Sequence, residues 1–211
     1  MTDWFERTRQ SYQHPEGAKA FVAKEMPHLD GRNSNVFQLL DFADIKGKQA
    51  IDMGCGFGRD VAEMRRRGAE AWGVDVSADL LKDAEARYGG GGWIEGDLLT
   101  YEQPPSGQVD LVWSLASLVH TPRVDMPKIL TRWHGWLREG GHLILLSKTG
   151  EGERVVYNLG EKLPRMMVYY TVQEILDVLV PLGMTVEMAS SAWAKGAAVG
   201  DDLFAIILKK G

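Results

Sequence analysis

The sequence predicts an α/β fold, with a doubly wound, seven-stranded and mostly parallel sheet that ends in an antiparallel C-terminal hairpin strand. From about residue 48, apolar runs alternate with helical patterns, as in parallel sheets. The apolar runs are nearly continuous, which is typical of strands covered on both faces. Only the short loop AKGAAVG separates the last two runs, and a parallel crossover needs a dozen or more residues.

Each element has its own sequence signal. Gly68 ends the first helix of the alternating part, Ser77 is placed to cap the second, and Thr171 to cap the last. The predicted strands are KQAIDMG, AEAWGVDV, GGWIEGD, QVDLVWSL, HLILLSK, MTVEMASSAWA and DDLFAIILKK. The predicted helices are RDVAEMRRRG, SADLLKDAEARYG, DMPKILTRWHGWLREGG and TVQEILDVLVPLG.

Two segments lie outside this alternation. Residues 1–46 read as two or three helices and are expected to form an N-terminal helical cap, before a main domain over residues 47–211. Residues 149–170 are expected to form a long irregular insert on the substrate side, since loops of this length are usually functional lids or flexible.

Composition narrows the classes of partner. The chain has 211 residues, 45% of them hydrophobic, enough for one core without disulfides or metal. A net charge of −5 speaks against a nucleic-acid partner. We expect no membrane partner, because no apolar run reaches ~18 residues and the N-terminus lacks a signal-peptide pattern. The single cysteine, Cys55, fits a cytoplasmic location. A monomer or a homodimer is expected.

The stretch AIDMGCGFGRD, residues 50–60, is the main candidate for ligand binding. It forms the turn after the first strand, and ligands of doubly wound sheets bind beyond the C-terminal ends of strands. Bare glycine backbone lets a ligand lie close, and the next helix offers unpaired N–H groups. The dinucleotide pattern G-x-G-x-x-G fails because Arg59 takes the third glycine position. Asp52 would repel a diphosphate, which points to a ligand with a cationic group.

This D-x-G-C-G-x-G-R-D pattern resembles the first motif of class I S-adenosylmethionine-dependent methyltransferases, a family with a Rossmann-like fold. The resemblance covers roughly residues 48–208. It implies S-adenosyl-L-methionine as cofactor and methyl transfer to a small-molecule substrate. It also implies that cofactor-binding residues follow the strands; they are Asp52, Gly54, Gly56, Gly58, Arg59, Asp60, Asp75, Val76, Asp97, Leu98, Trp113 and Ser114.

The resemblance gives some of these residues a role. Asp75 is implied to accept both ribose hydroxyls, and Asp97 a hydrogen bond from the adenine amino group. Val76 and Leu98 are implied to sandwich the adenine, and backbone carbonyls near Trp113 and Ser114 to meet the methionine ammonium. Structural alternatives stay open, because Asp75 also fits a helix cap, Asp97 a turn and Trp113 a core position.

Methyl transfer is an in-line displacement in which much of the catalysis is proximity. His120 is a candidate general base because it follows the fourth strand on the ligand side, although a structural role is favoured. Tyr169 and Tyr170 are candidates for the catalytic pocket, or for packing in the core. Tyr12 and His14 belong to helices expected to close over the cofactor as a lid.

The loop after the fourth strand disfavours one substrate class. Residues 113–121 contain no acid, whereas catechol-type O-methylation needs one for Mg²⁺, so no metal site is predicted. The expected acceptor is a small molecule methylated on oxygen or nitrogen rather than carbon or sulfur. Two alternatives remain: a cofactor-binding regulatory or assembly module without turnover, and an NAD-dependent oxidoreductase.

Overall fold

The computed structural model describes residues 3–25, 34–194 and 203–211. The strands are β1 (Gln49–Met53), β2 (Glu70–Asp75), β3 (Trp93–Glu95), β4 (Val109–Leu115), β5 (Leu137–Lys148), β6 (Glu153–Val156), β7 (Arg165–Val168), β8 (Met184–Ala194) and β9 (Leu203–Lys210). The helices are α1 (Trp4–Gln13), α2 (Pro15–Glu25), α3 (Arg59–Arg66), α4 (Ala78–Tyr88), α5 (Met126–Trp136) and α6 (Val172–Leu179), with a 3-10 helix at Ser34–Phe42.

The main sheet has seven strands in the order β3-β2-β1-β4-β5-β9-β8. Strands β1 to β5 run parallel, β9 pairs antiparallel with β5, and β8 pairs antiparallel with β9. The predicted α/β fold and the predicted C-terminal hairpin are therefore confirmed. The strand order reverses between β1 and β4, the place where ligands bind in doubly wound sheets.

The predicted helix ends have the expected capping interactions. Gly68 follows α3 with φ +92°, the left-handed geometry that ends helices. The Ser77 side chain accepts a hydrogen bond from the Leu80 amide at the start of α4. Thr171 and Glu174 form a reciprocal capping box on α6.

Apolar side chains cover both faces of the sheet. On one face, Trp133 of α5 and Ile175 of α6 pack against the sheet with no exposed surface. The other face is covered by Val61 of α3 and Leu39 of the 3-10 helix, which form a buried cluster with Trp113 of β4. Burial on both faces explains why the strand sequences are almost continuously apolar.

Two sequence expectations about elements are wrong. The insert 149–170 is not irregular throughout, because β6 and β7 pair in it as an antiparallel two-stranded sheet. The helix predicted to run to residue 141 ends at Trp136, where β5 begins. Leu137 already pairs with Val109, and Arg138 forms an ion pair with Asp110, so sheet pairing overrides the helical pattern there.

The helices before β1 pack against the insert. The Thr8 hydroxyl of α1 accepts a hydrogen bond from the Met166 amide of β7 at 2.7 Å. The Ser11 hydroxyl donates to the Pro164 carbonyl at 2.8 Å. Within the described ranges, no helix has the length and apolar character needed to cross a membrane.

Candidate functional site

The glycine turn after β1 is shaped by its neighbours. Gly54 has φ +85°, and a Cβ there would lie 2.2 Å from the Cβ of Ser117. A Cβ on Gly58 would lie 2.6 Å from the Trp93 ring. The turn is also held by hydrogen bonds, since the Gly54 amide donates to the Val74 carbonyl at 2.8 Å. These glycines are therefore required by packing alone, before any ligand is considered.

Asp52, at the end of β1, is a buried carboxylate with an unmet interaction. It is 2% exposed, and its Oδ1 has no hydrogen-bond partner within the part of the chain that the structure describes. Burial raises the pKa of this carboxyl well above its usual range, and the negative charge of Asp60 adds to the shift. A buried, unpaired carboxylate is costly unless a cation or donor approaches it. The ammonium group of S-adenosylmethionine has the charge and the donors to fill this role.

Arg59 and Asp60, at the start of α3, are paired with each other. The Arg59 Nε donates to Asp60 Oδ1 at 2.5 Å, and the Trp113 indole N–H donates to Asp60 Oδ2 at 2.9 Å. The Trp113 ring is 0% exposed and lies in the core, which matches the structural alternative for its side chain. Ser114 Oγ and Ser117 Oγ are hydrogen-bonded at 2.6 Å. These side chains hold β4 and α3 around the glycine turn.

Asp75, at the end of β2, holds the turn directly. Its Oδ2 accepts from the Gly56 amide at 2.8 Å, and its Oδ1 accepts from the Ser77 amide at 2.9 Å. Burial raises the pKa of this carboxyl, and the amide hydrogen bonds oppose the shift. Each oxygen keeps a lone pair for a further donor. Val76, the next residue, is half-buried.

Asp97, after β3, has a partner that sequence reasoning missed. Its Oδ1 accepts from the Leu99 amide at 2.7 Å, as in the turn alternative. Its Oδ2 accepts from Nη1 of Arg9 on α1 at 2.8 Å. Leu98, which lies between Asp97 and Leu99 in the sequence, is half-buried. No local pattern links Arg9 to a residue 88 positions later, so only the three-dimensional packing of α1 reveals the pair.

His120, after β4, is hydrogen-bonded at both ring nitrogens. Its Nδ1 lies 2.9 Å from the Met166 carbonyl and must donate to it, so Nε2 accepts from the Tyr12 hydroxyl at 2.9 Å. The Tyr12 hydroxyl in turn accepts from Nη1 of Arg165 at 2.5 Å. Burial, followed by the charge of Arg165, lowers the pKa of His120 to about 3. His120 is therefore a neutral imidazole that orients Tyr12.

The two candidate tyrosines differ in position. Tyr170 is 0% exposed in the core, and its hydroxyl donates to the Thr121 carbonyl at 3.0 Å. This position matches the core-packing alternative for Tyr170, because the side chain is buried and its hydroxyl is bonded within the core. Tyr169 is also buried, but its hydroxyl accepts from Nε of Arg154 at 2.5 Å, within the insert.

The described residues form neither a reactive thiol site nor a metal site. Burial raises the pKa of the Cys55 thiol well above its usual value, which leaves it protonated and unreactive. Among the described residues, no group of three or more His, Cys, Asp or Glu side chains lies close enough to hold a metal ion.

The sequence and the fold are both similar to those of known methyltransferases. Residues 50–141 match the family described as a methyltransferase domain. The chain is 33% identical over 120 residues to an uncharacterised methyltransferase of Mycobacterium tuberculosis, covering 54% of this chain and 59% of that protein. It is 33% identical over 93 residues to a magnesium-protoporphyrin O-methyltransferase of Rhodobacter capsulatus, covering 42% and 40%. A solved complex of DhpI with SAM and HEP has a TM-score of 0.78 at 14% identity, covering 100% of both chains.

The chain spans about half the length of the curated relatives that it matches, 59% of one and 40% of the other. The matched residues 50–141 include the glycine turn, Asp52, Asp75 and Asp97. The likeness to the solved structure concerns the fold, across the whole chain.

Proposed function

We propose that this chain, whose residues 50–141 belong to the methyltransferase-domain family and whose sheet has the class I fold, transfers a methyl group from S-adenosylmethionine to a small-molecule acceptor. The match of residues 50–141 confirms the family resemblance that was drawn from the glycine turn. The activity is the proposal that rests on this resemblance. The acceptor atom proposed is an oxygen or a nitrogen. The O-methyltransferase among the relatives favours oxygen.

The observation that carries the proposal is the buried Asp52 carboxylate with one unpartnered oxygen, directly before the glycine turn. We assign the methionine end of the cofactor to Asp52 and the backbone of the turn. We assign the ribose to Asp75 and the adenine end to Asp97, Leu98 and Val76. When bound, S-adenosylmethionine supplies a methyl group activated by the adjacent sulfonium.

The chain's own residues then bind, orient and exclude water. The hydrogen bond from the Gly56 amide to Asp75 fixes the turn before the cofactor arrives. The pair of Arg9 and Asp97 holds α1 against the adenine end. His120 is too weak a base to remove a proton at neutral pH, so we give it a positioning role through the Tyr12 hydroxyl. Proximity in a closed site then provides most of the catalysis.

Further parts of the proposal rest on sequence. Methyl transfer is proposed to be metal-independent, because residues 113–121 contain no acid to hold Mg²⁺. The net charge of −5 favours a small-molecule partner over a nucleic acid. The single cysteine, Cys55, supports a cytoplasmic location. A monomer or homodimer is proposed.

Calorimetry with S-adenosylhomocysteine tests the cofactor assignment. Wild type should bind in the micromolar range. Asp52→Asn and Asp75→Asn should each weaken binding by about 10-fold or more, because each removes a charged acceptor. Asp177→Asn is the matched control, since Asp177 is exposed on α6 and bonded only to Gln173 in the described contacts. Circular dichroism checks that Asp75→Asn keeps its fold.

Some outcomes contradict the proposal. NADH binding without S-adenosylhomocysteine binding would indicate an oxidoreductase. Cofactor binding without release of S-adenosylhomocysteine from any acceptor in a broad small-molecule screen would indicate a binding module.

A further inference from the structure

Arg165, at the start of β7, is a buried cation without a negative partner. It is 4% exposed. Its Nε donates to Asn158 Oδ1 at 2.8 Å, Nη2 contacts the same oxygen, and Nη1 donates to the Tyr12 hydroxyl. No aspartate or glutamate in the described part of the chain forms an ion pair with it. Buried charges are ordinarily paired, so a counter-charge is missing here.

Two more cations face the same place from other elements. Burial and then the charge of Arg165 lower the pKa of Lys24 on α2, and Lys148 at the end of β5 adds to this effect. The same three cations all lower the pKa of His120. The negative group nearest to Lys24 is Glu25, at 3.5 Å. Arg165, Lys24 and Lys148, from β7, α2 and β5, thus form a cationic cluster beside His120, in which Lys24 is ion-paired with Glu25.

This cluster adjoins the glycine turn. The Tyr12 ring lies edge-on to the His120 ring, with centroids 5.3 Å apart, and edge-on to Phe21 at 5.7 Å. Phe21 in turn lies 3.2 Å from the position that a Cβ on Gly56 would take. Tyr12 thus connects the cationic cluster to the loop assigned to the methyl donor.

We propose that the methyl acceptor carries an acidic group, a carboxylate or a phosphate-type group, which binds beside Arg165, Lys24 and Tyr12. This inference rests on the proposed methyl transfer and specifies its substrate class. The planar guanidinium of arginine suits paired acid oxygens, and the lysine adds charge. Binding an acid would supply the counter-charge that Arg165 lacks among the described residues.

Calorimetry with simple anions tests the proposal. Inorganic phosphate and sodium acetate are titrated into the protein with and without S-adenosylhomocysteine, at an ionic strength held constant with sodium chloride. Acetamide serves as the uncharged counterpart of acetate. At least one of the two anions should bind and acetamide should not. Which anion binds more tightly separates a phosphate-type group from a carboxylate.

Variants place the anion in the cluster. Arg165→Gln should weaken anion binding by about 10-fold or more, and Lys24→Gln by a few-fold, because charge-assisted hydrogen bonds are lost. Arg66→Gln is the matched control, since Arg66 is exposed on α3 and paired with Glu63. If Arg165→Gln fails to fold, Arg165→Lys and Lys24→Gln replace it, with weaker binding expected in both.

Cofactor affinity in the same variants separates the two proposals. Arg165→Gln should bind S-adenosylhomocysteine as wild type does. If wild type does not bind S-adenosylhomocysteine, the proposed function fails, whatever the anions do. If it binds S-adenosylhomocysteine, but the anions bind no better than acetamide or as tightly to Arg165→Gln as to wild type, the acidic acceptor is ruled out.

Discussion

At the scale of single residues, His120 is fixed by hydrogen bonds at both nitrogens of its ring. Its two ring nitrogens contact the Met166 carbonyl and the Tyr12 hydroxyl, on two different elements. Protonation of Nε2 would break the hydrogen bond from Tyr12 and place a third charge beside Arg165 and Lys24. The low pKa of His120 follows from this arrangement and from burial.

The low pKa makes stability depend on pH. Folded His120 has a pKa of about 3 and unfolded histidine about 6.5, so the unfolded chain takes up the proton first as the pH falls. Its contribution to stability is therefore complete above about pH 6.5 and is lost progressively towards pH 3. Between pH 7.5 and 5.0, wild type should lose about 2 kcal/mol more unfolding free energy than His120→Asn. Urea denaturation at both pH values measures this, and equal losses would refute it.

Tyr170 gives a second prediction for a single residue. Removing its hydroxyl in Tyr170→Phe should cost about 1 kcal/mol, since the hydrogen bond to the Thr121 carbonyl is lost in the core. Turnover should be unchanged, because the hydroxyl is bonded within the core. Tyr88→Phe is the control, as Tyr88 is 40% exposed. Loss of turnover in Tyr170→Phe without loss of stability would restore Tyr170 as a catalytic residue.

Residue roles were only partly predictable from sequence. Ser77 and Thr171 were assigned as caps because capping depends on neighbours within three residues. The partners of Asp97 and His120 were not predictable, because Arg9 and Tyr12 lie 88 and 108 positions away. Contacts over such distances depend on how α1 packs, and no local pattern encodes this.

At the scale of elements, α1 is bound to β7 by hydrogen bonds inside the structure. Thr8 accepts from the Met166 amide, and Ser11 donates to the Pro164 carbonyl. The same helix carries Arg9 and Tyr12 into the site. The helix expected to be a lid is therefore attached to the insert, and in the proposed function it forms part of the wall of the site.

Thr8→Val tests this attachment. The substitution leaves the buried Met166 amide without its acceptor and should cost about 1–3 kcal/mol. Thr100→Val, at an exposed position after β3, is the control. Unfolding followed by tryptophan fluorescence should remain a single transition, because these bonds join α1 to the two-stranded sheet of β6 and β7. A separate early transition would mean that the N-terminal helices unfold on their own.

At the scale of the whole molecule, alternation of strands and helices was enough to predict the sheet and its direction. The apolar runs identified strands buried on both faces, and the short loop after β8 required an antiparallel pair. The pairing of β6 with β7 escaped prediction because GERVVYN and PRMMVYY have weak alternation. The cationic cluster of Arg165, Lys24 and Lys148 was also not predicted, because these residues come from three elements that are distant in sequence.

The place of β9 in the sheet has a consequence for synthesis. Strand β9 (Leu203–Lys210) lies between β5 and β8 in the sheet, although it is synthesised after both of them. While a ribosome is still making residues before 203, β5 presents an unpaired apolar edge of the kind that seeds aggregation. The edge of β5 is therefore completed only once residues 203–210 have been synthesised.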